Sequence, residues 1–226
     1  SGREELLHPD EFQKSTVENY ILREEQRHFD DDRLLAVYAV RQDETENGFL
    51  KPACRIDLTP FINEDELKWE VPEGRWKAYV LHLSRNFGYH RSYINMMDRA
   101  SCKVLLDAVY EPHYEHYKDD FGTTIAGFFS DEPELGNGHI YNTDDPFGSP
   151  NDYPWSTELE DRLKKKLGDD YGCLLALLWE TNADADITAK VRYAYMDAVT
   201  DLVREDFSHQ IGNWCRQRGV QYIGHL

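Results

Sequence analysis

The segment 125–137, IAGFFSDEPELGN, carries an apolar run into three acids, Asp131, Glu132 and Glu134, with Pro133 wedged among them. Apolar residues that stop at a polar turn read as a strand with carboxylates at its end. Cleaving a glycosidic bond takes two carboxyl groups, one protonating the leaving oxygen and one activating water or attacking directly. Glu132 suits the acid: a strand would fix its backbone, and Phe128 and Phe129 are apolar neighbours that would desolvate it. Asp131, one position away, points to the opposite side, so it either positions Glu132 or binds a hydroxyl or a metal. Pro133 has no N–H and ends the strand sharply. Glu134 has three readings, as metal ligand, substrate ligand or cap of the turn.

Acids beside a proline are also ordinary turn chemistry. Context favours a site: an apolar strand precedes them, and the Gly-, Asn-, Asp- and Pro-rich stretch 136–155 follows as a long loop. A second strand reaches a polar end at Gly224-His225, where His225 is either a sugar contact or unconstrained. Trp155, in YPWS, either stacks on a sugar ring or staples the helix opened by a Thr157–Glu160 capping box. His113 and His116 sit three apart in EPHYEHY, but without a third ligand they read as an exposed polar face. A metal-dependent hydrolase using Asp131, Glu132, Glu134 and His139 is a rival chemistry.

The elements that must hold these residues divide the chain in three. Residues 1–32 read as an N-terminal helical segment, with a helix over 9–28 that starts at Pro9-Asp10. Residues 33–90 read as a small, mainly antiparallel β unit: LLAVYAV, ACRIDLT, LKWEV and RWKAYVLHL are separated by the turns ETENG, NEDE and PEG. Trp69 and Trp76 pack across its strands. Residues 91–226 alternate helix and strand. The first helix, from Met97, presents Met97, Ala100, Val104, Leu105 and Ala108 on one face, is interrupted by Pro112 and is stopped by Gly122. TTIAGFFS and VQYIGHL are strands. YGCLLALLWE is a buried helical segment carrying Trp179. The longest helix repeats Ile187, Val191, Tyr195, Ala198, Leu202, Phe207, Ile211 and Trp214, and Gly219 ends it.

Composition limits the partners. A net charge of −18 over 226 residues disfavours a nucleic-acid partner, which needs a basic face, and an anionic membrane surface. No apolar run approaches the ~20 residues that cross a bilayer. No signal-type segment opens the chain, so it reads as cytoplasmic unless a targeting segment lies outside it. The four cysteines, Cys54, Cys102, Cys173 and Cys215, form no CxxC pair and read as buried reduced thiols rather than zinc ligands.

Strands that are apolar on both faces suit a parallel sheet covered by helices, and ligands of such folds gather at the C-terminal strand ends. The fold class is therefore α/β, part of a (β/α)8 TIM-type barrel with an inserted small antiparallel β unit. A complete barrel takes ~250 residues, so the chain is expected to be a piece of a longer enzyme.

GFFSDEPELGN, PWSTELEDRLKKKLGDDYGCLLALLWE and AKVRYAYMDAVTDLVREDFSHQIGNWCRQRGVQYIGHL, in that order, resemble bacterial glycoside hydrolases related to the α-L-rhamnosidase family. LTPFINEDELKWEVPEGRWKAYVL resembles the β segment those proteins carry. The resemblance implies a barrel hydrolase acting on an oligosaccharide or glycoside with inversion, a calcium ion as its candidate cofactor, Glu132 as the strand-end glutamate and Gly224-His225 as a sugar-binding strand end. The family's second acidic group follows that pair, so the isolated chain is expected to show no hydrolysis. A non-catalytic carbohydrate-binding or scaffold module derived from such a barrel is the alternative.

Overall fold

The computed structural model describes residues 11–13, 20–23, 33–43, 45–46, 49–50, 55–63, 66–83, 93–133, 135, 153–168, 171–179 and 185–225. In chain order the strands are β1 (Glu11–Gln13), β2 (Tyr20–Arg23), β3 (Arg33–Arg41), β4 (Thr45–Glu46), β5 (Phe49–Leu50), β6 (Arg55–Asp57), β7 (Ile62–Asn63), β8 (Glu66–Trp69), β9 (Arg75–Leu83), β10 (Gly127–Ser130) and β11 (Gln221–Gly224). The helices are α1 (Arg99–Leu105), α2 (Glu111–Tyr117), α3 (Thr157–Leu167), α4 (Tyr171–Leu174), α5 (Ala185–Leu202) and α6 (His209–Gln217). No helix among the described residues is long and apolar enough to cross a membrane.

The β unit is built on the long antiparallel pair β3 and β9, in a sheet of order β1-β9-β3-β6. Both faces of that pair are buried, which is why its sequence lacks polar alternation. Ala36, Tyr38, Val40, Tyr79 and Leu81 face the helical layer with Leu159, Leu163, Leu175–Leu178 and Tyr195. The intervening positions Val37, Ala39, Ala78 and Val80 face Leu58, Leu67, Trp69 and Val71, around the second sheet β2-β8-β7. Trp69 and Trp76 meet edge to face at 5.9 Å, a contact between the two sheets, since β8 and β9 belong to different ones. Each fully buried aliphatic side chain here stabilises by about 1.5–3 kcal/mol.

The helix expected over 9–28 is corrected. Glu11–Gln13 pairs antiparallel with β9, and Tyr20–Arg23 pairs antiparallel with β8. A short apolar spacing such as Val17, Tyr20, Ile21 fits either period, and open edges of two sheets supply the backbone partners that decide it.

The chain then packs α1 and α2 against α6. The interruption expected at Pro112 takes the form of a π turn over Leu106–Tyr110, after which Pro112 sits in the first turn of α2. A proline there needs no N–H partner. The predicted apolar face is also corrected: Val104 is 60% exposed, whereas Cys102, Leu106 and Tyr110 are buried. The latter three meet Phe207, Ile211, Trp214 and Cys215, so the aromatic-rich partner helix selects the stripe.

The repeat from Ile187 to Trp214 holds throughout, and its irregularity has a cause. Leu202 and Phe207 are five apart, and a π turn spans Val203–Ser208 between α5 and α6. The extra residue keeps Phe207 and Ile211 buried. Gly168 and Gly219 end their helices with φ of +80° and +74°, the left-handed C-terminal position that glycine takes freely. Among the described cysteines Cys102 and Cys215 are buried free thiols and Cys173 is half-buried; burial pushes the Cys102 thiol up to about 12 and Cys215 to about 11. Cys54 lies outside the described residues.

Candidate functional site

β10 and β11 are parallel neighbours in the register Gly127↔Gln221 to Ser130↔Gly224. Parallel pairing brings both C-terminal ends to the same side, so the turn Asp131-Glu132-Pro133 and His225 come together although they are 94 residues apart in sequence (Asp131 to His225). Two hydrogen bonds join the ends. The His225 N–H donates to the Ser130 carbonyl at 3.1 Å, and the His225 ring bonds through Nδ1 to Asp131 Oδ1 at 3.0 Å. An imidazole that donates Nδ1–H to a carboxylate leaves Nε2 as the acceptor of the neutral ring.

The two faces of this strand pair differ. Phe128 and Tyr222 turn into the helical layer, where Phe128 stacks on Tyr110 at 4.3 Å and lies edge-on to Trp214 at 5.7 Å. The Tyr222 hydroxyl donates to Ser130 Oγ at 3.0 Å. Burial holds the Tyr222 phenol above its ordinary range. The opposite face carries Phe129, Asp131, Ile223 and His225. Phe129 is 53% and Ile223 62% exposed, and the Phe129 and His225 rings meet edge to face at 5.2 Å. Among the described residues, the helices pack on the face of Phe128 and Tyr222.

Two assigned neighbours change as well. Phe128 does not shield Glu132, because its ring belongs to the aromatic layer below the strands, and Glu132 is exposed. Asp131 is held by His225. Glu132 has φ 43°, the only non-glycine residue with positive φ among the described residues. Pro133 disfavours the right-handed helical region for Glu132. A left-handed conformation costs a non-glycine residue about 1–2 kcal/mol, and such strain concentrates at functional turns.

A stability test follows from that angle. Glu132→Gly relieves the left-handed cost and adds about 0.5–1 kcal/mol of chain entropy lost on folding, so its melting temperature is expected to equal or exceed that of the wild type. A clear fall in thermal unfolding would mean that the Glu132 side chain, not strand geometry, holds the turn.

Trp155 is half-buried in an apolar cleft with Leu35, Leu81, Tyr153 and Trp179, and its carbonyl accepts from Asn95 Nδ2 at 2.9 Å. This cleft belongs to the cluster between the β3–β9 sheet and the helices, not to the one backing the strand pair. Leu135, just past the acidic turn, packs against both clusters. The staple reading of Trp155 fails for a local reason. The helix cap is Ser156, whose hydroxyl accepts from the Leu159 N–H at 3.0 Å, so Thr157 and Glu160 do not form the capping box and the staple partner would be Glu160.

Glu134 and His139 lie outside the described residues. His113 bonds through Nδ1 to the Val109 carbonyl at 2.6 Å, one of the carbonyls near the Pro112 π turn. No group of three or more His, Cys, Asp or Glu residues placed to hold a metal exists among the described residues.

Phe129 and Ile223 were not among the residues placed on the face of Asp131 and His225. Counting back by two from Asp131 and His225 would have found them, since a strand repeats its face every second residue.

No protein-family model matches the sequence, and no curated protein matches it. Among solved structures, the fold is similar to that of a rhamnosidase from Novosphingobium sp. PP1Y, with a TM-score of 0.50 and 14% identity over 78% of this chain. The chain spans 17% of the length of that rhamnosidase, and at this identity the likeness is one of fold.

Proposed function

We propose that this chain forms part of a glycoside hydrolase of the rhamnosidase kind, with β10 and β11 as neighbouring strands of a (β/α)8 barrel and the β unit inserted beside it. The observation that carries the reading is the convergence of Asp131, Glu132 and His225 at one end of a parallel strand pair, the end at which α/β folds collect their ligands. The fold likeness to a rhamnosidase supports it.

In this reading Glu132 is the general acid. Its carboxyl proton passes to the glycosidic oxygen as the bond to the anomeric carbon breaks. A carboxylate outside the described residues takes the proton of the attacking water. His225, oriented by Asp131, accepts a sugar hydroxyl at Nε2 and sets the ring against Glu132. The experiment is hydrolysis of methyl α-L-rhamnopyranoside by the complete polypeptide that carries this chain, as wild type and Glu132→Gln. Loss of turnover in the variant is expected; wild-type turnover would remove Glu132 from the chemistry.

A second reading, a carbohydrate-binding module without turnover, is favoured by one observation. Glu132, the proposed acid, is exposed, whereas general acids are ordinarily tuned by burial. Binding without hydrolysis by the complete polypeptide would select it.

A further inference from the structure

We propose that Ser130 is a positioning residue for the acid Glu132: its hydroxyl joins Tyr222 and Tyr110, and this tie fixes the strand end from which the acidic turn departs. The inference rests on the glycoside reading above, in which Glu132 protonates the leaving oxygen. Ser130 is the last residue of β10. The Tyr222 hydroxyl, from β11, donates to Ser130 Oγ at 3.0 Å, and the Tyr110 phenol bonds to the same serine hydroxyl. One hydroxyl offers a proton and two lone pairs, so it serves both phenols at once. The Ser130 carbonyl in turn accepts the His225 N–H at 3.1 Å. A single residue thus ties β10 to β11 and to the helical layer, one position before Asp131 and two before Glu132.

Alternation along the strand sets Ser130 on the face of Phe128, against the helices, and Asp131 on the other. That helix-facing side is packed in an open sheet and in a closed barrel alike, so the tie needs no exposed surface. Tyr110 closes the π turn Leu106–Tyr110, and such turns recur at functional sites. The layer around the three hydroxyls is apolar or aromatic, with Leu106, Phe121, Phe128, Phe207 and Ile211. Phenylalanine at 110 or 222 would fill the same space. Hydroxyls that converge on one serine in such a layer specify a single arrangement of the elements that carry them. What they specify here is the direction in which the backbone enters Glu132, whose φ of 43° continues from that strand end. A displacement of about 1 Å at a reacting group costs up to about 10²-fold in rate.

The test is steady-state hydrolysis by the complete polypeptide that carries this chain, as wild type, Ser130→Thr, Ser130→Val and Tyr222→Phe. Threonine and valine share a shape and differ in the hydroxyl, and Tyr222→Phe removes only the donor, so it carries the comparison if Ser130→Val does not fold. On methyl α-L-rhamnopyranoside, Ser130→Val and Tyr222→Phe are expected to lower kcat by about ten- to a hundredfold with KM held, and Ser130→Thr to restore it. On a 4-nitrophenyl rhamnoside, whose leaving group departs without a proton, the losses should be far smaller. A purely structural role would depress both substrates alike, and equal losses would overturn the proposal. A loss shared by Ser130→Thr would overturn it too, because shape rather than the hydroxyl would then matter. Wild-type kcat in Ser130→Val and Tyr222→Phe, with Glu132→Gln inactive, would overturn it and leave the glycoside reading standing. Absence of turnover by the wild type would remove both.

Discussion

In the complete polypeptide that carries this chain, Glu132→Gln is expected to lower hydrolysis of an alkyl rhamnoside by about 10²–10⁴-fold, the range over which a positioned general acid acts. The same substitution costs far less on a 4-nitrophenyl rhamnoside, because nitrophenolate leaves without a proton. That contrast separates proton donation from binding. A residue that merely contacted sugar would depress both substrates alike. Folding should be unaffected, since Glu132 is exposed and glutamine keeps its shape, so near-identical melting curves accompany the loss. Equal losses on the two leaving groups would reassign Glu132 to substrate binding.

Gly224→Ala is expected to take the site apart from below. A Cβ at position 224 would stand 2.3 Å from the Ser130 carbonyl oxygen. That oxygen accepts the His225 N–H at 3.1 Å, so relief requires the strands to part where they support the Asp131–His225 bond. Backbone cannot swing aside as a side-chain tip does, and overpacking of this kind costs about 1–3 kcal/mol. The variant should melt lower and lose glycoside binding together. Gly168→Ala is the control: the added methyl meets nothing within 4 Å, and only its φ of +80° opposes it. It loses stability at a helix end and keeps the site. Retained binding in Gly224→Ala would mean that His225 reaches Asp131 without the strand pairing.

The meeting of the two strand ends at the candidate site could be read in the sequence because strand ends announce themselves. GFFSDEP and YIGHL each switch from apolar to polar in one step, and parallel pairing then follows from the helices between them. The five-residue step from Leu202 to Phe207 likewise carried its π turn in the spacing. What escaped notice was decided by partners distant in sequence. Tyr20–Arg23 is a strand because β8 offers an edge, and nothing local distinguishes it from a helical turn. Val104 looks more apolar than Cys102, yet the stripe containing Cys102 faces Trp214 and Phe207. Phe128 and Phe129 are identical in type, and only the covering helices decide which ring is packed and which is free. The Ser156 cap displaced the predicted Thr157 by one residue, within the usual uncertainty of helix ends.

The most direct test of the central claim is a site-resolved titration of the complete polypeptide that carries this chain with methyl α-L-rhamnopyranoside, read by backbone amide shifts. The account predicts that the largest changes fall at Phe129–Glu132 and at Tyr222–His225, the two strand ends joined by the Asp131–His225 bond. Changes confined to the Trp155 cleft, or none at saturating glycoside, would contradict it.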